Sequence, residues 1–370
     1  MTIRIATFNT ENLFQRPRVF ALADEEKRRK TLEDFATLVS LLDHATYTAA
    51  DKKAIAAILK KYDVPNSQSK TRPFLVNETR GGAKLFSVKQ GGVIDIVADG
   101  RAKWVGWAEL IPDDINRDSV QNTGRVIAEV DADVLLTVEV EDRLTLDRFN
   151  EQVLTDQMGP KKRYPFNMLI DGNDGRGIDV GLFSRRPITS IRSHIFDPDP
   201  KTGRPVFSRD CPEFEIELEG GKRLWILGNH FKSKGFGNPT DSANRRKAQA
   251  KRVAEIYEAA RKRSAHVVVA GDLNDTPDSV PLQTLLDTGL QDAMSHSSYT
   301  GAPGTYETGQ SLKQKIDYLM FSPGLWRRVQ AVDVERRGVF APHTFKSFPT
   351  VTSKATEASD HGALYVDLDI

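Results

Sequence analysis

The sequence predicts a layered α/β protein built on mixed β-sheets, and three observations carry that prediction. The chain opens on a strand, Ile3–Phe8, in which apolar and polar residues alternate. After Asn122, helical and extended segments follow one another in an αβ rhythm. Strands outnumber helices, and several helices link strands, which is the pattern of sheets covered by helices.

The elements follow in order. Asp24–Leu42 and Asp51–Tyr62 carry helical apolar spacing. A polar, turn-rich stretch, VPNSQSKTRPF, comes next. Lys84–Trp107 reads as hairpin material, with turns at Gly91-Gly92 and Asp99-Gly100. This block, roughly residues 15–117, has the character of an insertion or lid within a single catalytic domain spanning 1–370. Beyond it, Thr123–Val130 and Arg148–Met158 read as helices, and Val134–Val138 and Val180–Ser184 as buried strands. Phe214–Leu218 and Leu224–Gly228 form a hairpin around Gly220-Gly221. Ala243–Arg263 is a long helix, Val267–Ala270 a strand and Pro281–Thr288 a short helix. Tyr318–Phe321 and Ala363–Asp367 are strands. No repeat of solenoid period is present.

Composition narrows the functional classes. The chain has 370 residues, 39% hydrophobic and 28% charged, with a formal net charge of +1. That is ordinary for a globular protein, and nucleic acid would have to be attracted by local patches rather than by a global field. The lone cysteine, Cys211, excludes an intramolecular disulfide and a cysteine-based zinc site. Its place in RDCPEF, before a strand, suits a buried thiol better than a nucleophile. The opening residues lack a charged leader followed by an apolar core, and no run reaches the length of a membrane span. The expectation is a cytoplasmic protein with no transmembrane segment and no evident protein partner.

The stretch AHVVVAGDLNDTPD, residues 265–278, shows where chemistry collects. Its oily run stops abruptly at Asp272, Asn274 and Asp275. Alone, this is a strand leaving into a turn. The same ending recurs, however. Asn9 closes the first strand, Glu139 follows DVLLTV, and Asp179 precedes VGLFS. His230 follows LWILGN, Asp317 precedes YLMF, and Asp360 and His361 precede GALYVDL. Strand ends from sheets packed face to face converge on one rim. Carboxylates forced together there repel, and a bound cation relieves them. Oxygen donors without cysteine suit Mg2+ or Mn2+, with Ca2+ also compatible. Two histidines add hydrogen bonds and proton transfer, and a further acid can deprotonate water. This is the equipment of metal-assisted phosphoester hydrolysis. The SDH of Ser359–His361 is no catalytic triad, since neighbours on an extended chain face opposite ways. DGNDGRG at Asp171–Gly177 lacks the GK[ST] of a phosphate-binding P-loop. It reads as a mobile loop near the site, with Arg176 a phosphate contact.

At this point a family resemblance is evident. TFNTENLF, ADVLLTVEVED, GIDVGLFSRRPI, NHFKSKG, AGDLNDTPDS, KIDYLMFS and SDHGALYVDL stand in the order expected of the endonuclease/exonuclease/phosphatase superfamily. The resemblance covers residues 1–14 and about 120–370. It implies a deoxyribonuclease I-like, four-layered α/β sandwich, with two central mixed sheets flanked by helices. By that resemblance Glu139 is the principal metal carboxylate, with Asn9 and Asp360 auxiliary ligands, partly through water. Asp272 orients or deprotonates the attacking water, and Asn274 is its neighbour on the phosphate. His361 contacts the scissile phosphate, and Asp317 holds its ring. His230 matches a second histidine, the acid for the leaving oxygen. Asp179 is expected to hydrogen-bond His230 and raise its pKa. Two departures stand out: Val138 occupies a position where the family often has glutamine, and the block between the first strand and first helix is unusually long.

Local charge bears on the substrate. Between His230 and Arg252 lie Lys232, Lys234, Arg245, Arg246, Lys247, Lys251 and Arg252, opposed within the segment by Asp241 alone. A solvated helix face would explain such a run. Its adjacency to His230 favours a patch for a polyanion. Trp104 and Trp107 could stack on bases, but core packing of the inserted hairpin fits them better. The leading expectation is a Mg2+- or Mn2+-dependent nuclease acting on DNA, with RNA as a further substrate. The alternative is a phosphatase or phosphodiesterase for a lipid headgroup or inositol phosphate. A catalytically silent binding protein ranks last, because the site motifs are nearly all present.

Overall fold

The computed structural model describes every residue except 1, 12, 14–16, 23, 80, 113–115, 175, 235–237 and 341–344, and describes residues 20, 21 and 25 only in their backbone. The chain divides into two compact units. One comprises Met1–Phe14, Ile115–Lys234 and Thr240–Ile370, and the other Gln15–Asp114 with Gly235–Pro239.

Strand β1 (Thr2–Asn9) begins the larger unit. The smaller unit follows it in the chain. Helix α1 (Glu25–Leu42) starts where the Asp24 side chain accepts from Lys27 N, and α2 (Ala49–Lys61) where Thr48 and Asp51 cap each other reciprocally. Strand β2 (Phe74–Glu78) follows, then β3 (Phe86–Lys89), β4 (Val93–Ile96) and β5 (Gly106–Leu110). β2 pairs antiparallel with β5, and β3 with β4 across the expected Gly91-Gly92 turn. Phe35, Leu38, Ile55, Leu59, Phe74 and Trp104 form this unit's core. Trp104 donates from Nε1 to the Tyr47 hydroxyl at 2.8 Å. Trp107 departs from the expected core packing: it is 57% exposed, with its Nε1 on Glu109.

The rest of the larger unit runs α3 (Arg117–Val130), β6 (Val134–Val140), α4 (Arg143–Phe149), α5 (Thr155–Met158), β7 (Phe166–Leu169) and β8 (Asp179–Ser184). Next come β9 (Ile188–Arg192), β10 (Glu213–Glu217), β11 (Arg223–His230), α6 (Pro239–Ala260) and β12 (Val267–Asp272). The chain closes with α7 (Val280–Leu286), β13 (Gln291–Asp292), β14 (Asp317–Phe321), α8 (Pro323–Trp326), β15 (Val329–Glu335) and β16 (Ala363–Asp369). Side-chain caps move two helix starts ahead of their expected places. Asn116 accepts from Asp118 N and Ser119 N and begins α3, and Asp142 accepts from Thr145 N and begins α4.

Two six-stranded sheets result, ordered β15-β16-β1-β6-β8-β7 and β13-β14-β12-β11-β10-β9. In each, one central pair is parallel, β1 with β6 and β11 with β12, and its other neighbours are antiparallel. Alternation explains how they pack. Ile3 and Ile5 of β1, Leu136 of β6, Ile226 of β11 and Val268 and Ala270 of β12 share one core between the sheets. The opposite residues, Ala6, Phe8 and Leu135, meet Val126, Ile127 and Leu146 of α3 and α4. On the other sheet Leu227, Val267 and Val269 meet Val253, Ile256 and Tyr257 of α6. The layers are therefore helix, sheet, sheet, helix, as the resemblance implied. Cys211 is buried in the core beneath α6, which pushes its thiol pKa up.

Candidate active site

The two parallel pairs set the site. Parallel neighbours end on the same side, so Asn9 of β1 finishes beside the end of β6, and His230 of β11 is registered directly against Asp272 of β12. Asn9, His230, Asp272 and Asp317 each share the alternation phase of residues that fill the inter-sheet core, so all four point between the sheets at one rim. Gly271 makes the approach of β11 and β12 possible. It holds a φ of 126°, and a Cβ there would lie 1.9 Å from Asn229 O.

Glu139 arrives by a different route. Regular alternation would send it away from the phase of Val138. The register of β6 against β8 instead shifts between Val138 and Val140, a β-bulge, and Glu139 takes a left-handed φ of 64°. Val138 stays in the inter-sheet core while Val140 joins the helix-side core. The bulged residue is freed to face the rim, a strained conformation of the kind that gathers at functional sites.

The side chains meet there. Asn9 Nδ2 lies 3.2 Å from Asp272 Oδ2 and 3.4 Å from Glu139 Oε1, while Asn9 Oδ1 accepts from Glu11 N at 3.0 Å. Its amide, rather than its carbonyl, thus spaces the two carboxylates. His230 Nε2 is 3.7 Å from Glu139 and 3.8 Å from Asp272. Asn274, at a φ of 50°, donates its backbone N–H to Asp272 Oδ1 at 2.8 Å and its side-chain amide to Asp272 Oδ2 at 3.1 Å. His361 Nδ1 is 2.8 Å from Asp317 Oδ2, and its Nε2 is 3.7 Å from Asp360 Oδ1. Asp272, Asp317 and His361 present ligand atoms within 4.8 Å of one another.

The two imidazoles are driven to opposite charge states, which is how one site holds both an acid and a base. Burial favours neutral rings at both. At His361 the charge and hydrogen bond of Asp317 outweigh it and raise the pKa well above the usual range. At His230 burial and the charge of Arg209 act together and push it well below. His230 Nδ1 faces Ile178 O at 3.3 Å, and a carbonyl only accepts, so the proton sits on Nδ1 and Nε2 offers a lone pair. Burial, then Asp317, pushes Asp272 up to about 7. Burial also raises Glu139, with Asp360 adding repulsion.

Sequence reading missed Arg209, which sits in an irregular segment just before β10. Its side chain is 1% exposed. Nη1 donates to Phe231 O at 3.2 Å, and Nε lies 3.3 Å from Asp174 Oδ2. Arg176 meets the same carboxylate through Nε at 2.8 Å and Nη2 at 2.6 Å. Lys232 is pushed down to about 8 by burial and by these two arginines. Two further residues not foreseen, Lys354 and the fully buried Glu357, pair beside Asp360.

Several expectations need correction. The Asp179–His230 pair does not form. Asp179 alternates with Val180 and Leu182, which fill the inter-sheet core, so it faces the other way, and the His230 ring bonds Ile178 O instead. The basic run is not a continuous patch either. Arg246 is buried against Asp275 at 2.9 Å and Lys232 O at 3.0 Å, and Lys234 reaches Asp275 at 2.6 Å. Arg245 donates to Val206 O and Pro205 O, and Arg252 pairs with Asp197 and Glu255. These partners are distant in the chain or, for Glu255, on the same helix just beyond the run, so counting Asp241 alone overstated the charge. Asp275 does more than shape a turn, since it anchors the loop after β11. Of the proposed substrate contacts, Arg176 and Lys232 remain beside the site.

The misplaced Asp179 makes a pH prediction. Burial pushes its carboxyl up to about 7, against the hydrogen bond from Gly172 N–H and with help from Asp171. Unfolded, it ionises near 3.8. From about pH 4 to 7 the unfolded chain has released a proton that the folded chain keeps, so this group opposes folding increasingly over that window and by a constant amount above it. Asp179→Asn is expected to change stability little at pH 4 and to raise it by about 2–4 kcal/mol at pH 8. Urea denaturation at both values tests this, and an equal effect at both refutes it.

The donors fit a divalent cation. They are oxygens, and the upward push on half-buried Glu139 and buried Asp272 reflects negative charge gathered largely out of water.

With this geometry in view, similarity to known proteins can be placed. The model of the endonuclease/exonuclease/phosphatase family matches residues 111–361. The chain belongs to that family and is by class a phosphoester hydrolase, in a family whose members generally use a divalent metal. The fold is similar to that of a mannosyl-6-phosphatase from Bacteroides thetaiotaomicron, with 18% identity, a TM-score of 0.50, and coverage of 69% of this chain and 91% of that one. A family protein from Bacteroides vulgatus gives 17%, 0.49, 69% and 92%. The human Nocturnin catalytic domain gives 15%, 0.47, 70% and 88%. These likenesses concern the fold. No curated protein sequence matches. Among the described residues, no helix is long and apolar enough to cross a membrane.

Proposed function

We propose that this chain is a divalent-metal-dependent nuclease, cleaving DNA and also RNA by attack of water on phosphorus. The observation that carries this reading is the grouping of Arg176, Arg209 and Lys232 near Asp174, beside Glu139 and His230. Burial first, and then the charges of the two arginines, depress Lys232, so cationic groups are crowded together here beside the site. A backbone carrying phosphates on both sides of the scissile bond suits such a grouping.

Glu139 and Asp360 would hold the ion, with Asn9 acting through water, and the ion supplies positive charge to the phosphate oxygens and a more acidic bound water. Asp272, fixed by Asn9 and by both amides of Asn274, takes the proton of the attacking water at a carboxylate oxygen whose pKa lies near neutrality. His361, held as a cation by Asp317, donates from Nε2 to a non-bridging phosphate oxygen. The charge of the incoming phosphate offsets burial and Arg209 at His230, whose Nε2 takes a proton from solvent and gives it to the leaving oxygen.

The test is a panel of supercoiled plasmid, linear duplex, single-stranded DNA, abasic duplex, RNA, sphingomyelin and inositol phosphates, each with Mg2+, Mn2+ or EDTA. Plasmid nicking that EDTA abolishes, and that Arg209→Met weakens mainly by raising KM about 10-fold, supports the reading. Turnover confined to lipid or inositol substrates overturns it.

A further inference from the structure

Around Thr305, hydrogen-bond directions are fully determined. Ile316 N and Asp317 N donate to its Oγ1 at 3.3 and 3.1 Å, and that hydroxyl lies 2.6 Å from Asp317 Oδ2. Amide nitrogens only donate here, so the hydroxyl proton has one acceptor left, Asp317 Oδ2. That oxygen is the one facing His361 Nδ1 at 2.8 Å. Two donors thus converge on one carboxylate oxygen in a place sealed from water, with Thr305 2% and Asp317 1% exposed. Among the described residues, Asp317 Oδ1 is buried without a hydrogen-bond partner. The Thr305 hydroxyl fixes the plane of the carboxylate with one oxygen turned towards His361.

The same residue grips the histidine's own segment. Gly362 N donates to Thr305 O at 2.6 Å, and Thr305 N donates to Gln314 O at 3.0 Å. Its neighbours continue the grip. Tyr306 forms an antiparallel bridge with His361, with ring centroids 4.9 Å apart, and Glu307 N donates to Asp360 O at 2.7 Å.

We infer that Thr305 is a positioning residue for hydrolysis: its hydroxyl orients the Asp317 carboxylate while its carbonyl fixes the backbone beside His361, so that the imidazole presents Nε2 at the rim. The inference rests on the roles proposed above for Asp317 and His361.

Two substitutions separate orientation from mere packing. Thr305→Val keeps the shape and removes the hydroxyl; Thr305→Ser keeps the hydroxyl. With supercoiled plasmid and Mn2+, Thr305→Val is expected to lower kcat about 10- to 100-fold with KM nearly unchanged, and Thr305→Ser to restore kcat to within about threefold of wild type. A folded Thr305→Val with wild-type kcat overturns the inference. His361→Ala and Asp317→Ala are measured alongside. If they too keep full activity, the reading of the site has failed; if they lose it while Thr305→Val does not, the inference alone has failed. Should Thr305→Val not fold, magnetic resonance of the wild-type protein decides. A Thr305 hydroxyl proton protected from exchange supports the inference, and a freely exchanging one overturns it.

Discussion

Replacing Glu139 by glutamine is expected to lower kcat/KM by about three orders of magnitude, the largest effect of any conservative change in this site. The substitution keeps shape and volume and removes one negative charge at the residue proposed above to hold the ion. Burial raises the Glu139 carboxyl and Asp360 adds to the rise, so an ion there gains more from this group than from an exposed acid. The loss therefore appears first as weaker ion binding. Titration with Mn2+ followed by electron paramagnetic resonance should show affinity reduced at least about 10-fold, and excess Mn2+ should recover part of the rate. Unchanged affinity would move the ion elsewhere in the rim.

Asp272→Ala is expected to reduce kcat by about 10^3-fold while leaving Mn2+ affinity within a few-fold of wild type. The contrast with Glu139→Gln is the informative part, because it separates proton transfer from ion binding. Asp272 is held by Asn9 and by both amides of Asn274, so its removal strands buried donors and should also lower the melting temperature. Thermal melting establishes that the measured protein is folded. A folded Asp272→Ala enzyme with full turnover would refute the assignment of water activation to this carboxylate.

What could be read from the sequence depended on whether a residue's direction follows from local alternation. Val268, Ala270 and Asp272 lie two residues apart on a regular strand, so an acid on the inward face was legible once the oily run was seen. The same holds for Ile226, Gly228 and His230. Applied to Asp179, this rule would have ruled out the His230 pair, since Val180 holds the inward phase there. The edges of the two sheets were illegible. β7, β9, β13 and β15 were not anticipated, and each is the outermost strand of its sheet. An edge strand is half in water and carries less of the apolar run that marks a buried one. Charge was misjudged for a further reason: Asp275 and Asp197 neutralise part of the basic run from distant segments. Arg209 was passed over because it precedes a strand from an irregular segment, although the attention given to strand ends would have found it in FSRDCP just before Glu213.

The bulge at Glu139 makes the enzyme unequally sensitive to two kinds of genetic change. Trading neighbouring valines for isoleucine or leucine preserves the count of residues along β6, and with it the address of the acid. Losing the single codon for Val138 would leave nearly the same composition, yet remove the extra residue of the bulge and turn the Glu139 carboxylate into the place of a core valine. Variation around Glu139 should therefore be permissive in side-chain identity and intolerant of insertions and deletions.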